Sequence, residues 1–430
     1  MAPTLAMSIT GVAAAALLGR AATLAYVVAG VGVALVAYGF ARLSAEFAGA
    51  GSVYAFVGGA LGARAGFVAG WALLGTYLIF PVVSIAAIAI FAQALFRSTG
   101  IAAHPAWLPP ALVGWALVWL IASRSILTAA RTLLLFEVAS VALILVLMAI
   151  IVGKLALGGA PEGRGLTGDV FDLPPGTSLS TLALASTFGF LSFAGFESAG
   201  SLGEESTDPK RMVPRSMAVA IGFGALFYVL CVAVQTLGFG TDAAGVRAFV
   251  ASPAPLGELA ATYVGSGMAD ALDLAAIISA IGAGLGCASV GARMLYALSR
   301  DRLLDERLSG VSATGAPAGG LAFVMVLDLV ILVIFGAARA EPFDVFFYFA
   351  TIGTLSLLAM YVMTNAAALR FLGARGARAE LLLPVAGIAV AGYVLYHHIW
   401  PVPASPYDAF PYVVAGWLAV GVAVAFARAR

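Results

Sequence analysis

The sequence predicts an all-α polytopic membrane protein, and three observations predict it. Of its 430 residues, 62% are hydrophobic even with glycine left out, where a soluble domain reaches about 45–50% with glycine counted. Charged residues make up 10%, against about 25% in soluble chains, and the mean hydropathy is +1.05. The apolar residues fall in runs near the roughly 20 residues that a helix needs to cross about 30 Å of hydrocarbon. A stretch such as 138–152 (VASVALILVLMAIIV) shows no alternation, which excludes a membrane β-barrel. A net charge of +1 leaves no basic face for nucleic acid, and two cysteines make no disulfide scaffold.

Twelve spans follow in order: 1–19, 24–43, 67–96, 107–122, 132–153, 180–200, 214–239, 272–298, 320–337, 345–370, 381–399 and 410–428. The first is read as a span and not a signal peptide, because no basic segment precedes it and Arg20 lies on its far side. With the loops numbered alternately, sixteen of the 22 Lys and Arg residues fall on one side, among them Arg42, Arg124, Lys210, Arg300 and Arg375. The other side holds Arg20, Arg97, Lys154, Arg164, Arg247 and Arg339. The richer side is expected to be cytoplasmic. Both ends of the full-length protein are then expected inside a multi-pass protein of the cell membrane. Cys231 and Cys287 read as small buried hydrophobes in separate spans. His104, His397 and His398 form no ligand cluster, and no nucleotide loop or metal motif occurs. No cofactor and no metal site are expected.

Two spans look unable to satisfy their own backbone. The first holds Ser8, Ile9, Thr10 and Gly11 after Pro3. The sixth holds Phe193, Ala194, Gly195, Phe196, Glu197 and Ser198, followed by Gly200 and Gly203. After each comes one full span and then an amphipathic connector, 46–66 in the first half and 242–265 in the second. By the loop numbering these connectors lie on opposite sides. Spans 1–5 (1–154) and 6–10 (180–370) therefore read as an inverted repeat within a single transporter-like domain, with spans 11–12 (381–430) outside it. In such a repeat two broken helices meet at mid-membrane, where freed N–H groups hold a carboxylate and freed carbonyls hold an amine or cation.

Four stretches resemble amino acid permeases of the amino acid–polyamine–organocation family, which share the LeuT-type fold. The most specific is 190–215 (FLSFAGFESAGSLGEESTDPKRMVPR), similar to the family's F-x-G-[FW]-E core and its E-x-x-[DN]-P-x-R-x-[IV]-P-R loop. The others are 44–71, 291–304 (GARMLYALSRDRLL) and 351–361 (TIGTLSLLAMY). The resemblance implies proton- or sodium-coupled transport of amino acids or related amines by alternating access. Ser8, Ile9, Thr10 and Gly11 would then bind the substrate's carboxylate and amine. Phe193, Ala194 and Gly195 would form the facing wall, and Leu191 would meet the side chain. A gap-free match to the family's G-S-G triplet falls on Leu5, Ala6 and Met7 instead. The family's first helix has a longer first half and a cytoplasmic tail, so a start upstream of Met1 is expected. The family's helix 5 lysine, which replaces a sodium ion in some proton-coupled members, has Ser140 in its place.

Three acids fall inside spans: Glu137, Glu197 and Asp328. A mid-membrane charge costs at least about 2.5–3.5 kcal/mol, so each needs a reason. Glu197 follows the helix 6 break and is read either as a gate and proton-coupling residue or as a structural hydrogen-bond acceptor. Glu137 is read as a structural partner of Arg131, and Asp328 as a helix-packing or dimer-interface acid. Tyr77 is a candidate for the pathway and Ser289 for an ion site. The loop 204–211 is read as a solvated turn or an inner gate. A membrane-embedded enzyme, such as a lipid-processing transferase, and a passive channel are the alternatives. The first requires converging acids, His or Cys and the second rings of charge or carbonyls. Leu191 and Phe193 favour a neutral or apolar substrate side chain. The amino acid, the coupling ion, the direction of coupling and the choice between monomer and homodimer stay open.

Overall fold

The computed structural model describes residues 1–430 except 48–52, 103, 125, 206–207, 313–314 and 429–430. The expected gate at 204–211 therefore lies partly outside the described residues, as does the start of the first connector.

Fifteen α-helices follow in order among the described residues: α1 (Pro3–Leu18), α2 (Ala22–Glu46), α3 (Val53–Leu61), α4 (Ala63–Ser98), α5 (Leu108–Ala122), α6 (Ile126–Ala156), α7 (Leu179–Phe193), α8 (Pro209–Phe239), α9 (Ala243–Ala251), α10 (Pro255–Tyr263), α11 (Ser266–Arg300), α12 (Ala318–Ala337), α13 (Pro342–Ala374), α14 (Leu382–His397) and α15 (Phe410–Arg428). Ten segments are long and apolar enough to cross a membrane. Pro3–Glu46 counts once among them, although it holds α1 and α2, and Leu108–Ala122 is apolar but shorter. All twelve expected spans thus appear as helices. The remaining three are the connectors: α3 in the first, α9 and α10 in the second.

The bundle is built around α4, which packs along α11 and α13, and around α2, which packs on α7 and α8. Lipid tails are as apolar as leucine, so packing and hydrogen bonds between helices must hold such a bundle. The α4–α15 contact shows how. Trp71 Nε1 donates to the Trp417 carbonyl at 2.8 Å, and Trp417 Nε1 donates to the Trp71 carbonyl at 2.9 Å. The two rings stack at 4.3 Å. Gly75 and Gly421 permit this approach, because a Cβ at either would strike the facing indole.

The two ends of the bundle are tied differently. At the arginine-rich end Arg42 pairs with Glu380 at 3.0 Å and Arg375 with Glu46 at 2.8 Å. At the other end Arg164 Nη1 and the Tyr263 hydroxyl both donate to the Gly238 carbonyl, at 2.7 and 3.0 Å. Lys154 Nζ donates to the Tyr263 carbonyl at 2.6 Å. Asp242 caps α9 by accepting from Gly245 N at 2.9 Å, and this amide holds its carboxyl below the usual range.

Asp328 on α12 is fully buried inside the single chain. It is therefore no surface acid waiting for a second copy, and the dimer-interface reading of this residue is corrected.

Candidate functional site

Helix α7 stops at Phe193. The Ala194 amide turns back to the Leu191 carbonyl at 3.1 Å, and Gly195 takes φ +109°, a left-handed value that disfavours any side chain. A 3₁₀ segment, Phe196–Glu205, continues the chain. The expected break in span 6 is therefore present, at Ala194 and Gly195.

Glu197 fills the gap that the break opens. Its carboxylate is wholly buried. It accepts from the Gly195 amide at 3.0 and 3.1 Å, from the Tyr77 hydroxyl on α4 at 2.7 Å and from the Tyr361 hydroxyl on α13 at 3.3 Å. A buried carboxylate needs such donors to replace water. Phe196 packs between Phe40, edge-on at 5.5 Å, and Tyr361, tilted at 5.6 Å, which fixes the 3₁₀ segment against α2 and α13. Tyr77, expected only to line the pathway, is thus a direct partner of Glu197.

Span 1 differs from expectation. Helix α1 runs without interruption from Pro3 to Leu18, so Ser8, Ile9, Thr10 and Gly11 stand in regular helix, and the expected unwinding there is corrected. Ser8 Oγ returns to the Thr4 carbonyl at 2.8 Å and Thr10 Oγ1 to the Ala6 carbonyl at 2.8 Å, the i−4 bonds by which hydroxyls are accommodated in helices. Thr10 also meets the Tyr26 hydroxyl at 2.6 Å and Ser192 Oγ at 3.0 Å, joining α1, α2 and α7. Gly11 is a packing position: a Cβ there would lie 2.8 Å from Gln235 Oε1 and 3.1 Å from Phe249.

The free amides of α1 lie instead at its beginning, as for any helix. Thr4 N donates to Glu137 Oε1 on α6 at 2.8 Å, and Leu5 N donates to Ser279 Oγ on α11 at 3.1 Å. Glu137 is therefore a cap of α1, and its expected pairing with Arg131 is corrected. Ser289, the expected ion-site serine, bonds to the Leu285 carbonyl of its own helix at 2.7 Å. Gly195 faces this same start of α1, since a Cβ on it would fall 2.7 Å from Met1 N. The carbonyl end of α7 and the amide end of α1 thus meet with opposite partial charge.

Around this meeting point the side chains are apolar on one side. Leu5, Ile9, Phe188, Phe346 and Phe347 form a cluster onto which Leu191 and Ala194 pack. Phe193 points the other way, onto Tyr228 at 5.0 Å. Sequence reasoning missed Ser279, Tyr361 and Gln235. Gln235 Nε2 donates to the Met7 carbonyl at 2.7 Å from α8. A polar residue inside an apolar span was the signal available for each. Among the described residues no group of three or more His, Cys, Asp or Glu converges on a metal position, and Cys231 and Cys287 are free thiols.

The amino acid permease family matches residues 1–395. The chain belongs to this family. It is 25% identical over 297 residues to the low-affinity putrescine importer of Escherichia coli (strain K12), covering 66% of this chain and 61% of that protein. It is 26% identical over 369 residues to the branched-chain amino acid permease of Lactococcus lactis subsp. cremoris (strain MG1363), covering 81% and 77%. It is 25% identical over 353 residues to the L-asparagine permease of Escherichia coli (strain K12), covering 80% and 68%. The match thus spans about three fifths of the putrescine importer's length.

Proposed function

We propose that the chain is a secondary carrier that moves amino acids or related amines across the cell membrane by alternating access, driven by a proton or sodium gradient. The observation that carries this reading is the break at Ala194 and Gly195, with Glu197 held beneath it by Tyr77, Tyr361 and the Gly195 amide. A broken helix at membrane depth is tolerated where it lines a binding cavity. Here the break faces the amide end of a second helix, so donors and acceptors for a zwitterion or amine sit within one site. The relatives' printed substrates, putrescine, branched-chain amino acids and asparagine, all carry an amine, which supports the same class.

In this reading the apolar cluster of Leu5, Ile9, Leu191 and Ala194 receives the substrate's stem, and Gly195 gives the close backbone approach. Glu197 links occupancy to the gate, because its donors come from α4 and α13 and tie the break to two further helices. Spans 1–5 and 6–10 act as the two inverted halves that rock about the site, with both termini cytoplasmic. Purified protein in liposomes is expected to take up labelled amino acid or amine against its gradient when a proton or sodium gradient is imposed. Equilibration without accumulation would favour a passive pore.

A further inference from the structure

A groove of about 490 Å³ lies where the ends of α2, α3 and α13 meet, and it shares no residue with the break at Gly195. This is the volume of a small-molecule site, roughly 300–1,000 Å³. Phe47 and Phe371 form its apolar wall, their rings edge to face at 5.6 Å. Gly59 lets Phe47 approach, because a Cβ there would fall 2.5 Å from the ring. On α13, Arg370 and Ala374 stand one turn apart, and so do Phe371 and Arg375. Ala374 is small and exposed, and it leaves the groove open beside Arg370.

The two arginines that line the groove are held differently. Arg375 Nη2 pairs with Glu46 at 2.8 Å, and its guanidinium lies 4.3 Å over the Phe371 ring. Arg370 Nε donates to the Ala60 carbonyl at 3.2 Å. Among the described residues no carboxylate pairs with Arg370. A guanidinium has five N–H donors, so both Nη groups of Arg370 keep theirs for an anion. The bordering segments 42–47, 59–64 and 370–380 hold five arginines and two glutamates. That excess of three positive charges outweighs the roughly half negative charge at the C-terminus of each of the three helices.

The depth of the groove says which anion meets it. The 33 residues of α13 rise about 50 Å, and the hydrocarbon core is about 30 Å thick. With the span centred, about 10 Å of helix projects at each side, which places Arg370 and Ala374 at headgroup depth.

We propose that this groove binds a phospholipid with an anionic headgroup, taken from the leaflet at the arginine-rich end. The phosphate lies against the Nη groups of Arg370, and Arg375 adds charge. The glycerol and the top of one acyl chain cover Phe47, Phe371 and Ala374. Basic pockets between membrane helices take such lipids. A zwitterionic lipid brings its own cation into a positive field, and a free phosphate ion leaves both rings uncovered. The site is separate from the carrier reading, and each stands without the other.

Native mass spectrometry of the full chain tests this. The protein, in an uncharged detergent, is mixed with equal amounts of phosphatidylglycerol and phosphatidylcholine bearing the same acyl chains. Wild type is expected to retain one phosphatidylglycerol with at least about fivefold preference, the effect of one arginine near a membrane surface. Arg370→Gln is expected to lower that retention by about fivefold. Ala374→Phe, which fills the groove and keeps both arginines, is expected to lower it as well. Arg211→Gln, at the exposed start of α8, and an excess of inorganic phosphate are both expected to leave it unchanged. Equal retention of the two lipids by wild type overturns the inference, as does unchanged retention in either groove variant. An equal fall in Arg211→Gln overturns it in favour of diffuse attraction, and displacement by phosphate alone overturns it in favour of a soluble anion.

Discussion

The hydroxyl of Tyr77 on α4 lies 2.7 Å from Oε1 of Glu197 in the 3₁₀ segment that follows the broken helix α7. This bond joins the helix at the centre of the bundle to the carboxylate at the break. A hydrogen bond to a charged group is worth about 1.5–3 kcal/mol. Tyr77→Phe is therefore expected to cut uptake by roughly ten- to a hundredfold while the protein still purifies as a single species. Uptake within a factor of two of wild type would show that Glu197 does not depend on this donor.

Two separate obstacles stand against a side chain at Gly195. Its φ of +109° costs a non-glycine residue about 1–3 kcal/mol, and a Cβ would meet Met1 N at 2.7 Å. Gly195→Leu is expected to abolish uptake in a variant that still reaches the membrane. Wild-type uptake in a well-expressed Gly195→Leu protein would remove the break from the transport path.

The spans were legible because length and composition alone decide what crosses a bilayer, and the break in span 6 was legible because glycine and a buried acid stand together there. The errors have physical causes. Ser8 and Thr10 suggested unwinding, yet both hydroxyls return to carbonyls of their own helix, so small polar residues did not imply a gap. Glu137 was matched with Arg131, but residues six apart lie on different faces of a helix; Glu137 turns to Thr4 of α1 instead. Ser279 was overlooked in favour of Ser289 because which serine of α11 faces α1 depends on how the two helices pack, and no spacing within α11 reveals that.

The reciprocal bonds of Trp71 and Trp417 predict a stability effect away from the site. Trp417→Phe removes one of the two indole donors and is expected to cost about 0.5–1.5 kcal/mol. Adding Trp71→Phe removes the second donor, and the pair is expected to depart from additivity by at least about 0.5 kcal/mol. Thermal unfolding of the two single variants and the double variant in detergent measures this. Strict additivity would mean the stacked rings act independently.

Asp242 gives a pH-dependent signature at the end of the bundle opposite the arginine-rich one. The Gly245 amide holds its carboxyl below the ordinary range. A depressed pKa in the folded state contributes stability above the unfolded value of about 3.9, and that contribution is lost as pH falls through the folded value. Hydrogen exchange in α9, corrected for intrinsic rates, is therefore expected to accelerate at acid pH. Asp242→Asn, a comparable cap without the charge, is expected to remove that acid-side change. An identical pH profile in the variant would show that the cap's charge plays no part.

We propose that the break at Gly195 and the carboxylate of Glu197 together form the coupled transport site. Its most direct test compares wild type with Glu197→Gln in proteoliposomes, measuring labelled substrate uptake with and without an imposed proton or sodium gradient. Wild type is expected to accumulate substrate when the gradient is applied. Glu197→Gln is expected still to exchange substrate downhill but to ignore the gradient. Gradient-driven accumulation in Glu197→Gln equal to that of wild type would show that Glu197 takes no part in coupling.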